Sequence, residues 1–192
     1  LALLALLAGC ATAPPRTGTT ATTGTPIHRQ AMIFDPAEVP PADPADVGTI
    51  AGIVRAGYEV ISGPPGQPRK WERDRTLYMP GATFVSVWEE AGRIQTRIMT
   101  PEQYRQGFEI GAGFVEYEVG RRIERYGNVA QVRSVAEVRT PVGGPVTDRF
   151  VNYFNLFWDG TRWWIAGMVW QQEGPGSPIP PGWIGNWEDA VN

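Results

Sequence analysis

The sequence predicts an α+β domain in which helices pack on a long antiparallel sheet, and three observations carry that reading. Apolar residues recur at three- and four-residue spacings from Val47 through Ile50, Val54 and Tyr58 to Ile61, the period of one helix face. After residue 112 the period changes to two, over long stretches interrupted by Tyr126-Gly127-Asn128 and Asp159-Gly160. Of the 18 prolines of the 192-residue chain 11 lie before residue 46 or after residue 173, which leaves a stretch from about Asp46 to Glu173 able to build one core.

Composition narrows the function. With 42% apolar residues, 19% charged residues and a net charge of −3, the chain is neither a disordered acidic segment nor a basic nucleic-acid binder. One cysteine excludes an internal disulfide, and one histidine makes a zinc site or a histidine-based triad very hard to assemble. No metal or cofactor is expected.

The chain opens on the apolar run Leu1 to Leu7, which is too short to cross a bilayer and reads as the core of a signal peptide whose first residues precede the numbering. Leu7-Ala8-Gly9-Cys10 resembles the lipobox of bacterial lipoproteins. That resemblance implies a lipid thioether on Cys10 and membrane attachment through it. Ala11 in place of an aspartate implies export to the outer membrane, facing the periplasm. Residues 11–45, rich in Thr, Ala, Gly and Pro, bury too little to fold and read as a tether, with His28 solvated inside it. Its one apolar insert, around Met32 to Phe34, is a candidate to dock on the domain.

In the domain, the apolar stripe predicts one helix from Val47 to Ile61, ended by Gly63. Thr83 to Trp88 and Ile94 to Met99 read as a strand pair joined through Glu89 to Arg93. Thr100-Pro101-Glu102-Gln103 has a capping hydroxyl, a proline at the first helical position and a glutamine at the box position, so a short helix follows to about Ile110. Four strands then form a meander: Phe114 to Arg125, Val129 to Arg139, Arg149 to Trp158 and Arg162 to Gln171. Residues 174–192 break any element at Gly174-Pro175-Gly176, and Trp183 and Trp187 suggest a tail packed back on the domain.

A two-residue turn at Gly127-Asn128 sorts the first hairpin into faces. One face holds Tyr117, Val119, Arg121, Ile123, Val132 and Ser134 and reads as core; the other holds Glu116, Glu118, Arg122 and Glu137 and reads as wet. The same arithmetic at Asp159-Gly160 puts Asn152, Phe154, Leu156 and Val169 together and Met168 and Trp170 opposite, so both faces there are apolar. Such a sheet needs cover on its second side, from a homodimer partner, the Trp-bearing tail or the Met32 to Phe34 patch.

Helix, strand pair, helix and long meander is the order of the nuclear transport factor 2-like superfamily, also called cystatin-like or SnoaL-like. The text is similar too: Tyr58-Glu59-Val60-Ile61-Ser62-Gly63-Pro64, Arg69-Lys70-Trp71-Glu72-Arg73-Asp74, Glu124 to Val132, and Trp158-Asp159-Gly160-Thr161-Arg162-Trp163-Trp164-Ile165 resemble small bacterial members. The resemblance implies a curved antiparallel sheet wrapping helices around a conical pocket. It is nearly silent on function, because that superfamily hosts isomerases, dehydratases, cyclases and plain binding modules.

Its enzymes use an Asp or Glu base, an Asp/His pair, or hydroxyl and acid donors to an oxyanion. On the faces sorted above, no carboxylate reaches the core side. Asp74 is then the candidate base, with an ion pair to Arg73 or Arg75 or a helix cap as its other reading. Tyr58 and Tyr117 are candidate oxyanion donors, with packing as theirs. Arg121, buried on the core face, either meets Glu59 or receives an acidic ligand. The expectation is a non-catalytic envelope module that binds a small amphipathic molecule or a partner through Arg121, Asn152, Ser134 and Tyr117. The alternative is an isomerase, dehydratase or cyclase-type enzyme; a third reading is a structural lipoprotein whose pocket its own side chains fill.

Overall fold

A computed structural model describes residues 34–108, 113–140 and 143–189. Cys10, His28, Met32 and Ile33 lie outside the described residues, so the lipidation site and most of the tether do too. The elements run α1 (Pro44–Val47), α2 (Ile50–Ile61), α3 (Trp71–Asp74), β1 (Tyr78–Glu90), β2 (Arg93–Met99), α4 (Pro101–Gly107), β3 (Val115–Tyr126), β4 (Val129–Arg139), β5 (Val146–Trp158), β6 (Trp163–Gln172) and β7 (Trp187–Glu188). This is the α+β class expected, with few helices packed on a curved sheet.

The expected first helix is two. Asp43 caps α1, and the chain then resets at Gly48-Thr49, where the Thr49 hydroxyl accepts from the Gly52 amide at 2.9 Å and starts α2. A poor helix former followed by a good N-cap outweighs the continuous apolar stripe. α2 buries Ile53, Val54, Ala56 and Val60 fully and points Tyr58 at the sheet. α4 begins on the capping box read from Thr100 and Gln103, with the Gln103 amide donating to Thr100 Oγ1 at 3.2 Å and the Thr100 amide to Gln103 Oε1 at 2.9 Å. The single turn α3 was not anticipated.

The sheet order is β2-β1-β6-β5-β4-β3-β7. An all-antiparallel sheet is corrected here, because β1 pairs parallel with β6 and β7 parallel with β3. Each of those strands takes an edge that the β3 to β6 meander alone leaves open, and so protects it from pairing with other chains.

Two β-bulges change which side chains face inward. In β3 and β4, pairs from Arg121↔Ser134 to Tyr126↔Val129 follow the two-residue turn, but the register shifts at Val119 and the next pairs are Glu118↔Ala136 and Glu116↔Val138. One extra residue flips everything beyond it. Glu116 and Glu118 turn inward, and Tyr117 turns out and is 40% exposed. The wet face and core face assigned to residues 115–118 are therefore exchanged. In β5 and β6, a second shift between Asn155 and Leu156 pairs Phe154 with Met168 and Asn152 with Trp170. Met168 and Trp170 join the Asn152 face, and Val169 points away from it at 40% exposure.

The tail completes the first bulge. The Val119 carbonyl and Arg121 amide, which bond across to the tail rather than along the hairpin, take the Gly185 amide at 2.7 Å and the Asn186 carbonyl at 2.8 Å. Gly120 is required between them, since a Cβ there meets the Trp183 carbonyl oxygen at 2.0 Å. The same tail buries Ile179 and stacks Trp183 under Arg133, 3.7 Å from guanidinium carbon to ring centre. Phe34 sits edge-on to Phe157 and Trp164 at 5.5 and 4.8 Å. Of the intrachain covers named from the sequence, the tail and Phe34 of the Met32 to Phe34 patch touch the domain; Met32 and Ile33 lie outside the described residues.

Candidate functional site

Between α2, α4 and the inner face of β1, β3, β5 and β6 lies a cavity of about 200 Å³. That is the space of about seven waters, or of a single-ring organic molecule. Tyr104 of α4 is the hub of its aromatic wall, edge-on to Phe84, Phe108 and Trp170 at 5.6, 5.6 and 5.9 Å. The bulge in β5–β6 supplies Met168 and Trp170 to that wall, and the bulge in β3 supplies Glu116. Among the described lining residues Glu116 is the only charged one.

Among the described residues Glu116 faces no cation. Its carboxylate takes one hydrogen bond from a described residue, from Asn152 Nδ2 to Oε1 at 3.2 Å. Burial among apolar walls disfavours its charge and pushes the carboxyl up to about 7, with the Asn152 amide pulling weakly the other way. Beside it the Tyr104 hydroxyl has no hydrogen-bond partner among the described residues. Burial first, and then the charge of Glu116, push that phenol far up, so it stays a neutral donor.

Behind Glu116 runs a one-way chain of hydrogen bonds. Asn152 Nδ2 also donates to the Tyr58 hydroxyl at 3.0 Å. Tyr58 and Ser134 hydroxyls are 2.7 Å apart, and Ser134 donates to Glu118 Oε1 at 2.7 Å. Since the one hydroxyl hydrogen of Ser134 goes to Glu118, that of Tyr58 goes to Ser134. Glu118 is in turn held by Arg121 NH1 at 3.2 Å, and Arg121 Nε donates to Asp189 of the tail at 3.0 Å. The chain ties cavity wall, bulge and tail into one network.

The sequence candidates are therefore scattered. Asn152 and Tyr58 line the cavity, but the proton of Tyr58 is committed to Ser134, which opposes its reading as an oxyanion donor. Ser134 and Arg121 stand behind the wall, and Arg121 meets Glu118 and Asp189, not Glu59, whose partner is Arg73 at 2.7 Å. Tyr117 faces outward because of the bulge. Asp74 is buried beneath Tyr78, paired with Arg105 at 2.6 Å, rather than with Arg73 or Arg75. Burial pushes its carboxyl up and Arg105 pulls it back. Glu116 and Tyr104 were missed. The signal for Glu116 was a glycine inside a strand: Gly120 follows one bulge and Gly167 the other, the residue that strand interiors tolerate mainly at such places. Among the described residues no group of three or more His, Cys, Asp or Glu is placed to hold a metal.

Fold and site together define, among the described residues, an α+β domain with a ligand-sized aromatic pocket that holds the acid Glu116. Solved structures similar to this chain are NTF2-like proteins of unknown function. The one from Silicibacter pomeroyi DSS-3 is 10% identical over 66% of this chain and 94% of its own, with a TM-score of 0.42. The one from Shewanella baltica OS155 is 15% identical over 66% and 98%, with a TM-score of 0.39. The one from Methylobacillus flagellatus KT is 18% identical over 65% and 92%, with a TM-score of 0.42. No protein-family model matches the chain, and no curated protein does.

Proposed function

We propose that this is a nuclear transport factor 2-like domain whose pocket takes a small, mostly apolar carbonyl compound and moves a proton on the carbon beside the carbonyl. One observation carries the reading: the Val119 bulge turns Glu116 into an apolar cavity, where it meets an amide but no cation among the described residues. A carboxyl held near 7 is half ionised at neutral pH, and so is matched to accept a proton from carbon and return it. In the step, the C–H bond breaks as Glu116 takes the proton, and the electron pair moves to the carbonyl oxygen, which accepts a hydrogen bond from Tyr104. Glu116 then returns the proton to the same or a conjugated carbon, so no co-reactant is consumed.

The test is deuterium exchange of a cyclic enone in heavy water, followed by NMR. The expected result is exchange that quickens as pH rises through about 7, falls about 10²- to 10⁴-fold in Glu116→Gln, and falls about 10²-fold in Tyr104→Phe. Equal exchange in wild type and Glu116→Gln overturns the reading. Ligand binding without exchange makes the domain the non-catalytic binding module instead, a reading favoured by the engagement of Tyr58 and Asp74 elsewhere.

We place this domain in the cell envelope, lipid-anchored through Cys10 at the outer membrane. Support comes from the lipobox resemblance of Leu7-Ala8-Gly9-Cys10 and the low-complexity stretch after it. Labelling with a fatty acid in a bacterial host is expected to disappear in Cys10→Ser, and persistence of the label overturns the anchor.

A further inference from the structure

A second, wider hollow of about 540 Å³ adjoins the cavity, and the two share Tyr104, Phe108 and Trp170 as a common wall. A molecule seated against Glu116 and long enough to pass those three side chains has its outer end here. The character of the lining changes across that wall. Inside it is aromatic; outside it carries Ser86, Gln103, Gln106 and Arg97. Among the described residues Arg97 is the only charged one lining the outer hollow, as Glu116 is for the inner cavity.

Arg97 comes to this place through strand register. It pairs with Ser86 across β1 and β2, and Ser86 is two residues from Phe84, which is buried at the inner wall. Alternation puts all three on the concave side. The Arg97 guanidinium lies over the Trp88 ring at 5.7 Å, which holds it without neutralising it. It forms no ion pair with a described residue. Ion pairs elsewhere in the domain engage Arg73, Arg75, Arg105, Arg121, Arg139 and Arg149.

We propose that the outer hollow is a subsite for an acidic group, a carboxylate or a phosphate or sulfate ester, at the end of a ligand whose apolar body fills the inner cavity. This rests on the reading of that cavity as the ligand pocket. The two charges also set direction. An acidic group pushed inward meets Glu116, and a basic group left outside meets Arg97, so only one orientation of one ligand polarity satisfies both. An acid beyond the wall also leaves the carbonyl-bearing part of the same molecule against Glu116 and Tyr104.

Calorimetric titration with phenylbutyrate, phenylbutanol and phenylbutylamine tests this, since the three share one apolar body and differ in terminal charge. The acid is expected to bind about fivefold tighter than the alcohol, the scale of an exposed ion pair. That advantage is expected to vanish in Arg97→Gln and in about 1 M salt and to persist in Arg97→Lys. An acid that binds no better than the alcohol, an advantage that survives in Arg97→Gln, or an amine that binds tightest overturns the subsite while the pocket stands. Failure of all three to bind overturns the pocket and the subsite together.

Discussion

Glu116→Gln is expected to stabilise the domain by about 3 kcal/mol at pH 8 and to leave it unchanged at pH 4. The direction follows from the buried carboxyl. In the unfolded chain it titrates near 4.5, and in the folded domain at about 7, because burial disfavours its charge. Below the lower value both states hold the proton and no difference arises. Between the two, the folded state alone binds it, so stability falls as pH rises; above the upper value the full cost of an ionised, uncompensated carboxylate is present. Glutamine keeps the shape and can still accept from Asn152, but has no charge to bury. Denaturant unfolding of both proteins from pH 4 to pH 8 reads the difference directly. Comparing variant with wild type cancels groups that titrate the other way, such as Asp159, which its hydrogen bonds to Thr161, Trp164 and backbone amides hold down at about 2. A gap that stays constant across this range means that Glu116 is not buried as a charge, and the proton-transfer reading fails with it.

How much of this was legible in the sequence depended on whether local chemistry or long-range register decided it. The capping box at Thr100 is local and formed as read; the turn at Asp159-Gly160 is local too, but it closes as a four-residue loop, Asp159 to Arg162, with Trp158 paired to Trp163, two residues later than a two-residue turn gives and so with the same side-chain parity. The break at Gly48-Thr49 was local too, but an uninterrupted apolar stripe masked it. The faces of β3 and β6 were not local. A face assignment runs outward from the turn and holds only until one strand gains a residue, so Arg121 through Tyr126 were sorted correctly and Glu116 through Glu118 were not. The acid in the pocket was hidden by that single step. What selects the step is the tail, sixty-odd residues later in the chain: Gly185 and Asn186 bond to the backbone of Val119 and Arg121, and only a glycine at 120 clears Trp183. Gly120 was visible as a letter, but its reason lay in a segment read only as a cover. Arg121 shows the same limit, since its partners Glu118 and Asp189 came to it through the bulge and the tail, while Glu59 went to Arg73.

Arg105→Met is expected to cost about 3 to 5 kcal/mol, the scale of removing one partner from a buried ion pair. Asp74 is 2% exposed and Arg105 holds its Oδ2 at 2.6 Å, while the Tyr78 hydroxyl donates to Oδ1 at 3.3 Å. Without the guanidinium the folded state must bury a charge or take up a proton, so the Asp74 carboxyl rises further above its unfolded value of 3.8. A raised carboxyl is costly above its folded titration point and neutral below its unfolded one, so the loss is expected to shrink steadily as the solution is acidified toward pH 4. Adding Asp74→Asn to Arg105→Met removes the charge and is expected to recover most of the loss at neutral pH. A loss under about 1 kcal/mol, or one indifferent to acid, means that the pair is solvated and not structural. The same pair separates two roles for Asp74. Tyr78 lines the cavity and packs edge-on to Phe84 at 5.1 Å, so a loosened Asp74 weakens ligand binding by letting that wall move. If Asp74 positions the wall and Glu116 moves the proton, Asp74→Asn keeps the pH dependence of enone exchange centred near 7 and changes only how tightly the enone is held. A shift of that pH profile in Asp74→Asn would return the base to Asp74.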